Sequence, residues 1–300
     1  MPVRRERKGI MLANLFDRDR FDKWPTPIYA QPKLEGERCR SHLRNELHKG
    51  EWNDNVKMLS STALEIVSMP HIAEELSTLS NVIGEMELDG ELYSHELSFE
   101  EISSRVVRPV NIHPKYKDIE YHMFDIPASS DATQEDRLPQ LVFMKRIISE
   151  NKLEHIKIVP TYEIEDYEGV LFHLRMFIDQ GYEGIILRHK DNYYERKRSV
   201  MMMKLKPSKL DKYNIIGFTE EISKDGIAKN ALGAFVCITR ENSSFKVGTG
   251  RLLTRQNRNE LWERRQELVG KTLIVKYSHL TDDRRVPYTP VALEIEGEAL

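Results

Sequence analysis

A chain of 300 residues is longer than one typical domain, and 40% hydrophobic with 31% charged content excludes a disordered or fibrous class. The net charge of −3 excludes a chain-wide basic footprint, although the residues from 209 onward carry 15 Lys and Arg against 13 Asp and Glu, and those before carry 30 against 35. Cys39 and Cys237 stand far apart in no paired spacing, which argues for a reducing compartment, and neither a membrane-length apolar run nor a secretion-signal core is present. The expectation is a soluble, intracellular, cytoplasmic protein with no membrane partner, acting as a monomer.

Residues 9–24 mix apolar and charged side chains and predict a short helix or an extended lead-in, stopped by Pro25 and Pro27. Ile28-Tyr29-Ala30 and Arg38 to Leu43 read as strands flanking a loop around Lys33, and 57–61 as another strand. A helix is expected through Ile72 to Leu79, burying Ile72, Leu76 and Leu79. Val82 to Tyr93 reads as a hairpin turning at Asp89-Gly90. Ser98-Phe99-Glu100-Glu101 is a capping box that opens a helix ending near Arg108-Pro109. Residues 120–126 form an apolar strand, 127–137 a polar loop, and 139–150 a helix. A strand at 156–160 precedes a helix from Tyr167 to Asp179 that Gly181 stops. Glu183 to Arg188 is a strand framed by two charges, followed by the basic loop 196–199 and a strand at 201–207. Beyond Pro207 the character changes. Strands at 213–219, 232–239, 244–249, 272–279 and 291–295 surround a helix at 254–268, which suits a small OB-type barrel. The boundary falls near 208–210, giving an α+β chain with one domain at 1–208 and a barrel domain at 209–300.

The chemistry centres on Gln31-Pro32-Lys33-Leu34-Glu35-Gly36-Glu37-Arg38. A lysine held rigidly behind a proline can act as a nucleophile. Free lysine amines titrate near ~10.4, so attack at neutral pH requires desolvation or neighbouring cations. Gly36 allows a tight turn beside a ligand, and Arg38 can bind a sugar hydroxyl or a phosphate oxygen. Gly270-Lys271-Thr272 lacks the upstream glycine of a P-loop, and Gly248-Thr249-Gly250 lacks the third glycine of a dinucleotide loop. No histidine pair has the helical spacing of a zinc site.

What remains is an ordered series: Lys33, Gly36 and Arg38; Asp89-Gly90-Glu91; Phe124-Asp125; Glu183-Gly184 and Arg188; Lys204 and Lys206. The series resembles that of the covalent nucleotidyltransferases, in particular the small viral and phage type of ATP-dependent DNA ligase, from about Gln31 to Pro207. The resemblance implies an adenylation (nucleotidyltransferase) domain of antiparallel sheets with helices, followed by the OB-fold domain. It implies that Lys33 attacks the α-phosphorus of ATP, giving a lysine–AMP adduct that passes AMP to the 5′-phosphate of nicked double-stranded DNA in replication, repair or recombination. Arg38 is then expected at the ribose and Phe124 on the adenine, with Gln31 also at the nucleotide. Arg198 belongs to the outer phosphates, and Lys204 and Lys206, on one strand face, to the α-phosphate. Glu91 and Glu183 are expected beside Mg²⁺ (or Mn²⁺). The host would be a bacterial or phage-infected cytoplasm.

Plainer readings stand beside these: Phe124 as core, Glu91 as a hairpin carboxylate, Lys204 and Lys206 as a solvated face. The chain also departs from the family pattern. Glu35 stands where an aspartate is usual, Ser61 where an arginine follows leucine-serine, and Glu294 and Glu296 where the terminal motif is basic. Arg284 or Arg285 is expected to compensate at the leaving pyrophosphate. An RNA ligase, a capping guanylyltransferase with the same lysine chemistry, and a nick-binding protein with impaired catalysis are the alternatives.

Overall fold

The computed structural model describes residues 7–44, 55–127, 132–223, 225–277, 280–281 and 284–298. The chain divides into two compact units, Met1–Lys206 and Pro207–Leu300. Among the described residues no helix is long and apolar enough to cross a membrane. The architecture is α+β, as the sequence predicts.

The first unit contains two five-stranded sheets. One has the order β1 (Leu12–Leu15), β10 (Arg198–Leu205), β9 (Gly184–Arg188), β2 (Ile28–Lys33) and β8 (Tyr162–Ile164). The other has the order β4 (Val56–Ser60), β3 (Glu37–Leu43), β5 (Met86–Tyr93), β6 (Glu120–Asp125) and β7 (Ile156–Ile158). Pairings are antiparallel except β1 with β10 and β6 with β7. Residues 34–36 join β2 of one sheet to β3 of the other, so Lys33 ends one sheet and Arg38 lies in the next. Helix α2 (Pro70–Ile83) buries Ile72, Leu76 and Leu79 against the second sheet, in one core with Leu88, Tyr121 and Met123. Helix α5 (Tyr167–Asp179) buries Val170 and Phe177 against Ala30, Ile185 and Leu187 of the first sheet.

Several expectations change. The hairpin at Asp89-Gly90 does not form. The chain runs straight through as β5, while residues 82–83 complete α2. The reason is tertiary. Arg38 and Tyr194 hold the Asp89 carboxylate in place, and a bulge in the β5–β6 ladder absorbs the irregularity. Gly90 is needed for close approach, because a Cβ there would lie 2.6 Å from the His122 carbonyl oxygen. Lys33 is the last residue of a strand and not part of a loop. Residues 9–24 hold both β1 and a single helical turn, α1 (Arg18–Phe21), capped by Asp17. Helix α4 (Gln134–Glu150) starts five residues before the expected 139, because Thr133 and Asp136 form a second capping box. The loop read at 127–137 is therefore shorter, and positions 128–131 of it lie outside the described residues. Helix α3 (Phe99–Val106) opens on the Ser98–Glu101 box as expected.

The second unit is a five-stranded antiparallel sheet in the order β13 (Ser244–Val247), β12 (Ala228–Ile238), β11 (Lys209–Ile222), β14 (Thr272–Tyr277) and β15 (Val291–Ile295), with α6 (Arg255–Glu263) between β13 and β14. Chain order 3-2-1-4-5 with a helix after the third strand is the OB arrangement. Just beyond one edge strand, the Thr249 carbonyl accepts the Ala292 amide of the other edge strand at 2.7 Å. Phe235, Val247, Leu261, Leu273 and Ala292 fill the interior. The last part of the strand expected at 272–279 lies outside the described residues.

Candidate active site

Lys33 is brought to Glu183 by the pairing of β2 with β9, in which Lys33 lies opposite Gly184. Its Nζ donates to Glu183 Oε2 and, at 3.3 Å, to the Leu34 carbonyl. The other Glu183 oxygen accepts from Lys206 Nζ at 2.8 Å. Burial alone raises a carboxyl, yet the two lysines hold Glu183 below its ordinary value. Lys204 titrates lower than an ordinary lysine, through burial first and then the charge of Lys33. Four of the expected residues therefore meet at one point, contributed by the ends of β2, β9 and β10.

The second sheet supplies the facing groups. Arg38 lies directly opposite Glu91 in the β3–β5 ladder. Its guanidinium grips Asp89 with two bonds, at 2.7 and 2.5 Å, and lies over the Phe124 ring with Cζ 4.4 Å from the centroid. Glu91 is pushed up to about 7 by burial, against the opposing pull of Arg38 and Lys33. The connection between the sheets is tight: a Cβ on Gly36 would lie 2.3 Å from the Leu92 carbonyl oxygen and 2.9 Å from Glu91 Cγ. Phe124 is half-buried at the end of β6, packed on the core and still accessible. Gln31 is buried, and its carboxamide is taken up by protein partners. Nε2 donates to the Phe124 carbonyl at 3.2 Å and Thr161 Oγ1 at 2.9 Å, and Oε1 accepts from Arg188.

Arg198 is exposed and donates to the Ala13 carbonyl. With Lys204, Arg20 and Asp17 it lines a cleft of about 640 Å³ along β1 and β10. Arg20 carried no motif and was not expected there. Asp89 was named in the motif series without a role of its own, and Tyr194 was not named. Asp89 had a sufficient explanation as a turn residue, and Tyr194 sits in a segment with no periodicity.

A family model for the ATP dependent DNA ligase domain matches residues 10–206. The chain belongs to that family. It is 25% identical over 287 residues to a DNA ligase of African swine fever virus (isolate Warthog/Namibia), covering 91% of this chain and 64% of the relative. The chain thus spans somewhat less than two thirds of that relative's length. Its fold is similar to that of a solved structure named Pmar-Lig_PreS3, with a TM-score of 0.81 at 20% identity over 97% of this chain and 68% of that one. It is also similar to a Lig E DNA ligase, with a TM-score of 0.73 at 19% identity over 96% and 99%. These likenesses bear out the adenylation-plus-OB architecture.

Of the four departures from the family pattern, Ser61, Glu294 and Glu296 have described neighbours. Ser61 accepts the Lys8 amide on its carbonyl at 2.9 Å, so the N-terminal segment lies beside the missing arginine's position. Glu296 is paired with Lys212 at 2.6 Å and Glu294 lies 3.8 Å from Arg251, so both face cations of their own unit. Arg284 donates to the Ser244 carbonyl at 2.6 Å.

The carboxylates expected beside a divalent cation are Glu91 and Glu183. Among the described residues no three His, Cys, Asp or Glu side chains cluster to hold an ion by themselves. Two carboxylates fit Mg²⁺ when phosphate oxygens and water complete its shell, the usual arrangement for that ion.

Proposed function

We propose that the protein is an ATP-dependent DNA ligase that works through a covalent AMP adduct on Lys33 and seals nicks in duplex DNA. The observation that carries this reading is the junction of Lys33, Glu183, Lys204 and Lys206 facing Arg38, Glu91 and Phe124. In the first step Lys33 Nζ, having passed a proton to the Glu183 oxygen it is bonded to, forms a bond to the α-phosphorus of ATP while the bond to pyrophosphate breaks. Glu183 fixes Nζ in direction, and its second oxygen aligns Lys206. Lys204 and Lys206 place positive charge where the α-phosphate gains negative charge. Phe124 takes the adenine, Arg38 the ribose, and the cleft with Arg198 the outer phosphates. Mg²⁺, held by Glu91 and Glu183 with the phosphates, would neutralise phosphate charge and polarise the reacting group. A DNA 5′-phosphate oxygen then displaces Lys33 from AMP, and the 3′-hydroxyl displaces AMP from the adenylylated end.

The test is transfer of label from α-labelled ATP to the protein. Wild type should gain an acid-labile adduct, and Lys33→Ala none, with unchanged folding. Equal labelling of the variant refutes the assignment. Label from GTP in preference to ATP favours the capping reading, and sealing of nicked RNA over DNA favours the RNA ligase.

A further inference from the structure

The largest fully buried side chain among the described residues belongs to Arg137, a cation in α4 that none of the motifs named in the sequence contains. All five of its donors are satisfied. Nε donates to Asp125 Oδ1 at 2.7 Å, and Nη1 to the carbonyls of Ala132 at 2.7 Å and Asn192 at 3.0 Å. Nη2 donates to Gln134 Oε1 at 3.0 Å and Asp125 Oδ2 at 3.3 Å. Asp125, itself fully buried, directly follows Phe124 and accepts a further bond from Arg188 Nη1 at 2.6 Å. Arg188 Nε continues to Gln31 Oε1 at 2.8 Å, and Gln31 Nε2 returns to the Phe124 carbonyl at 3.2 Å. The path closes on itself, with the Phe124 carbonyl held on one side and the next residue's carboxylate on the other. Arg188 also lies 5.5 Å from the Phe124 ring centroid.

Two buried guanidiniums face a single carboxylate, and buried ionic groups of this kind can often be replaced by apolar side chains with no loss of stability. What the network provides is a fixed backbone at Phe124. We propose that Arg137 is a positioning residue for the nucleotide base, acting through Asp125 and Arg188 to fix the Phe124 ring and the Gln31 side chain. The proposal rests on the reading of Phe124 as the base platform. Without Arg137, Asp125 keeps one guanidinium partner and loses the bonds that orient it, so the ring has more than one resting position. ATP then binds more weakly, while Lys33, Glu183 and Lys206, whose bonds run to one another and to the Leu34 carbonyl and not to Arg137, Asp125 or Arg188, keep their contacts once ATP is bound.

The experiment measures KM for ATP and kcat in adenylylation of the full chain, for wild type, Arg137→Met, Arg137→Lys, Phe124→Ala and the Arg137→Met/Phe124→Ala pair. Arg137→Met should raise KM about tenfold with kcat within about threefold, the signature of lost binding and not of lost chemistry. In the pair, Arg137→Met should add nothing to the Phe124→Ala defect, because residues acting through one another are not additive. Arg137→Lys keeps the charge and loses the fork, and should raise KM about threefold. A folded Arg137→Met with wild-type KM overturns the proposal, as does a pair whose defects multiply. If Arg137→Met does not fold, Arg137→Lys decides, and an unchanged KM there overturns it. A wild-type protein that takes no label from ATP overturns the functional reading and this inference together. A labelled wild type with unaffected variants overturns this inference alone.

Discussion

Replacing Asp89 by Asn tests whether the carboxylate in the middle of β5 is what holds Arg38 in place. The Asp89 side chain is fully buried, and Arg38 is 19% exposed. Two of the three guanidinium bonds end on the Asp89 carboxylate, the third on the Met11 carbonyl, and the Tyr194 hydroxyl donates to Asp89 as well. Removing one partner of a buried pair costs about 3–5 kcal/mol, because the remaining charge is left unpaired in a poorly solvating place. Asparagine keeps one oxygen and the same shape, so the lower end, about 3 kcal/mol, applies. In a unit of this size each kcal/mol corresponds to about 2–4 °C, so the melting temperature should fall by about 6–12 °C. The assay is thermal unfolding followed by circular dichroism, paired with ATP labelling at a temperature where the variant is folded. Labelling should require more ATP, since Arg38 no longer has a fixed place over Phe124. A melting shift below about 2 °C, well under the range set by the pair's burial, would refute the reasoning and mark the ion pair as solvated.

Phe124→Ala should weaken ATP binding by about 1–3 kcal/mol, the range of aromatic–base stacking, measured as KM for labelling; unchanged affinity with a lowered melting point returns Phe124 to the core. Gly36→Ala should cost about 1–3 kcal/mol, because its Cβ meets the backbone of Leu92 and the stem of Glu91, and should slow labelling along with it. His71 is buried, its Nε2 bonds the Ile119 carbonyl at 2.9 Å, and burial lowers its pKa below the ordinary 6.5. The unfolded chain takes up this proton first, so the stability contributed by neutral His71 is full above about pH 6.5 and declines as pH falls toward the folded value. His71→Gln should flatten the pH dependence of the melting temperature as pH falls below about 6.5, and an equal slope in both proteins would contradict this.

The residues proposed to carry the chemistry stand out in the sequence because each motif couples a charged or aromatic side chain to a glycine or a strand end. That holds for Lys33 with Gly36 and for Glu183 with Gly184. Their spatial meeting followed from the motif order, not from local pattern. Asp89 was misread for a physical reason. Asp-Gly is the strongest short-range turn signal, and here a tertiary ion pair with Arg38 overrides it. The onset of α4 was within reach, since Thr133 and Asp136 have capping-box spacing, but the polar stretch before Pro139 masked it. Arg137 and Tyr194 were not legible at all. Nothing in a sequence marks an arginine or tyrosine whose carboxylate partner lies 12 or 105 residues away.

The short link at 34–36 works as a spacer between two jaws. Lys33, Glu183 and Lys204 belong to one sheet or its ends, and Arg38, Glu91 and Phe124 to the other. The sheet that ends in Lys33, the proposed nucleophile, is thus joined to the sheet that carries Phe124, the proposed base platform, by three residues of chain. A strand advances about 3.3 Å per residue, so one inserted residue here would misplace Lys33 by about the length of two bonds. A loss of that size exceeds what proximity catalysis tolerates, since misplacement by about 1 Å can already cost about a hundredfold. The connection from α3 to β6 sets no such distance, so length variation among related chains should collect there and be nearly absent at 34–36.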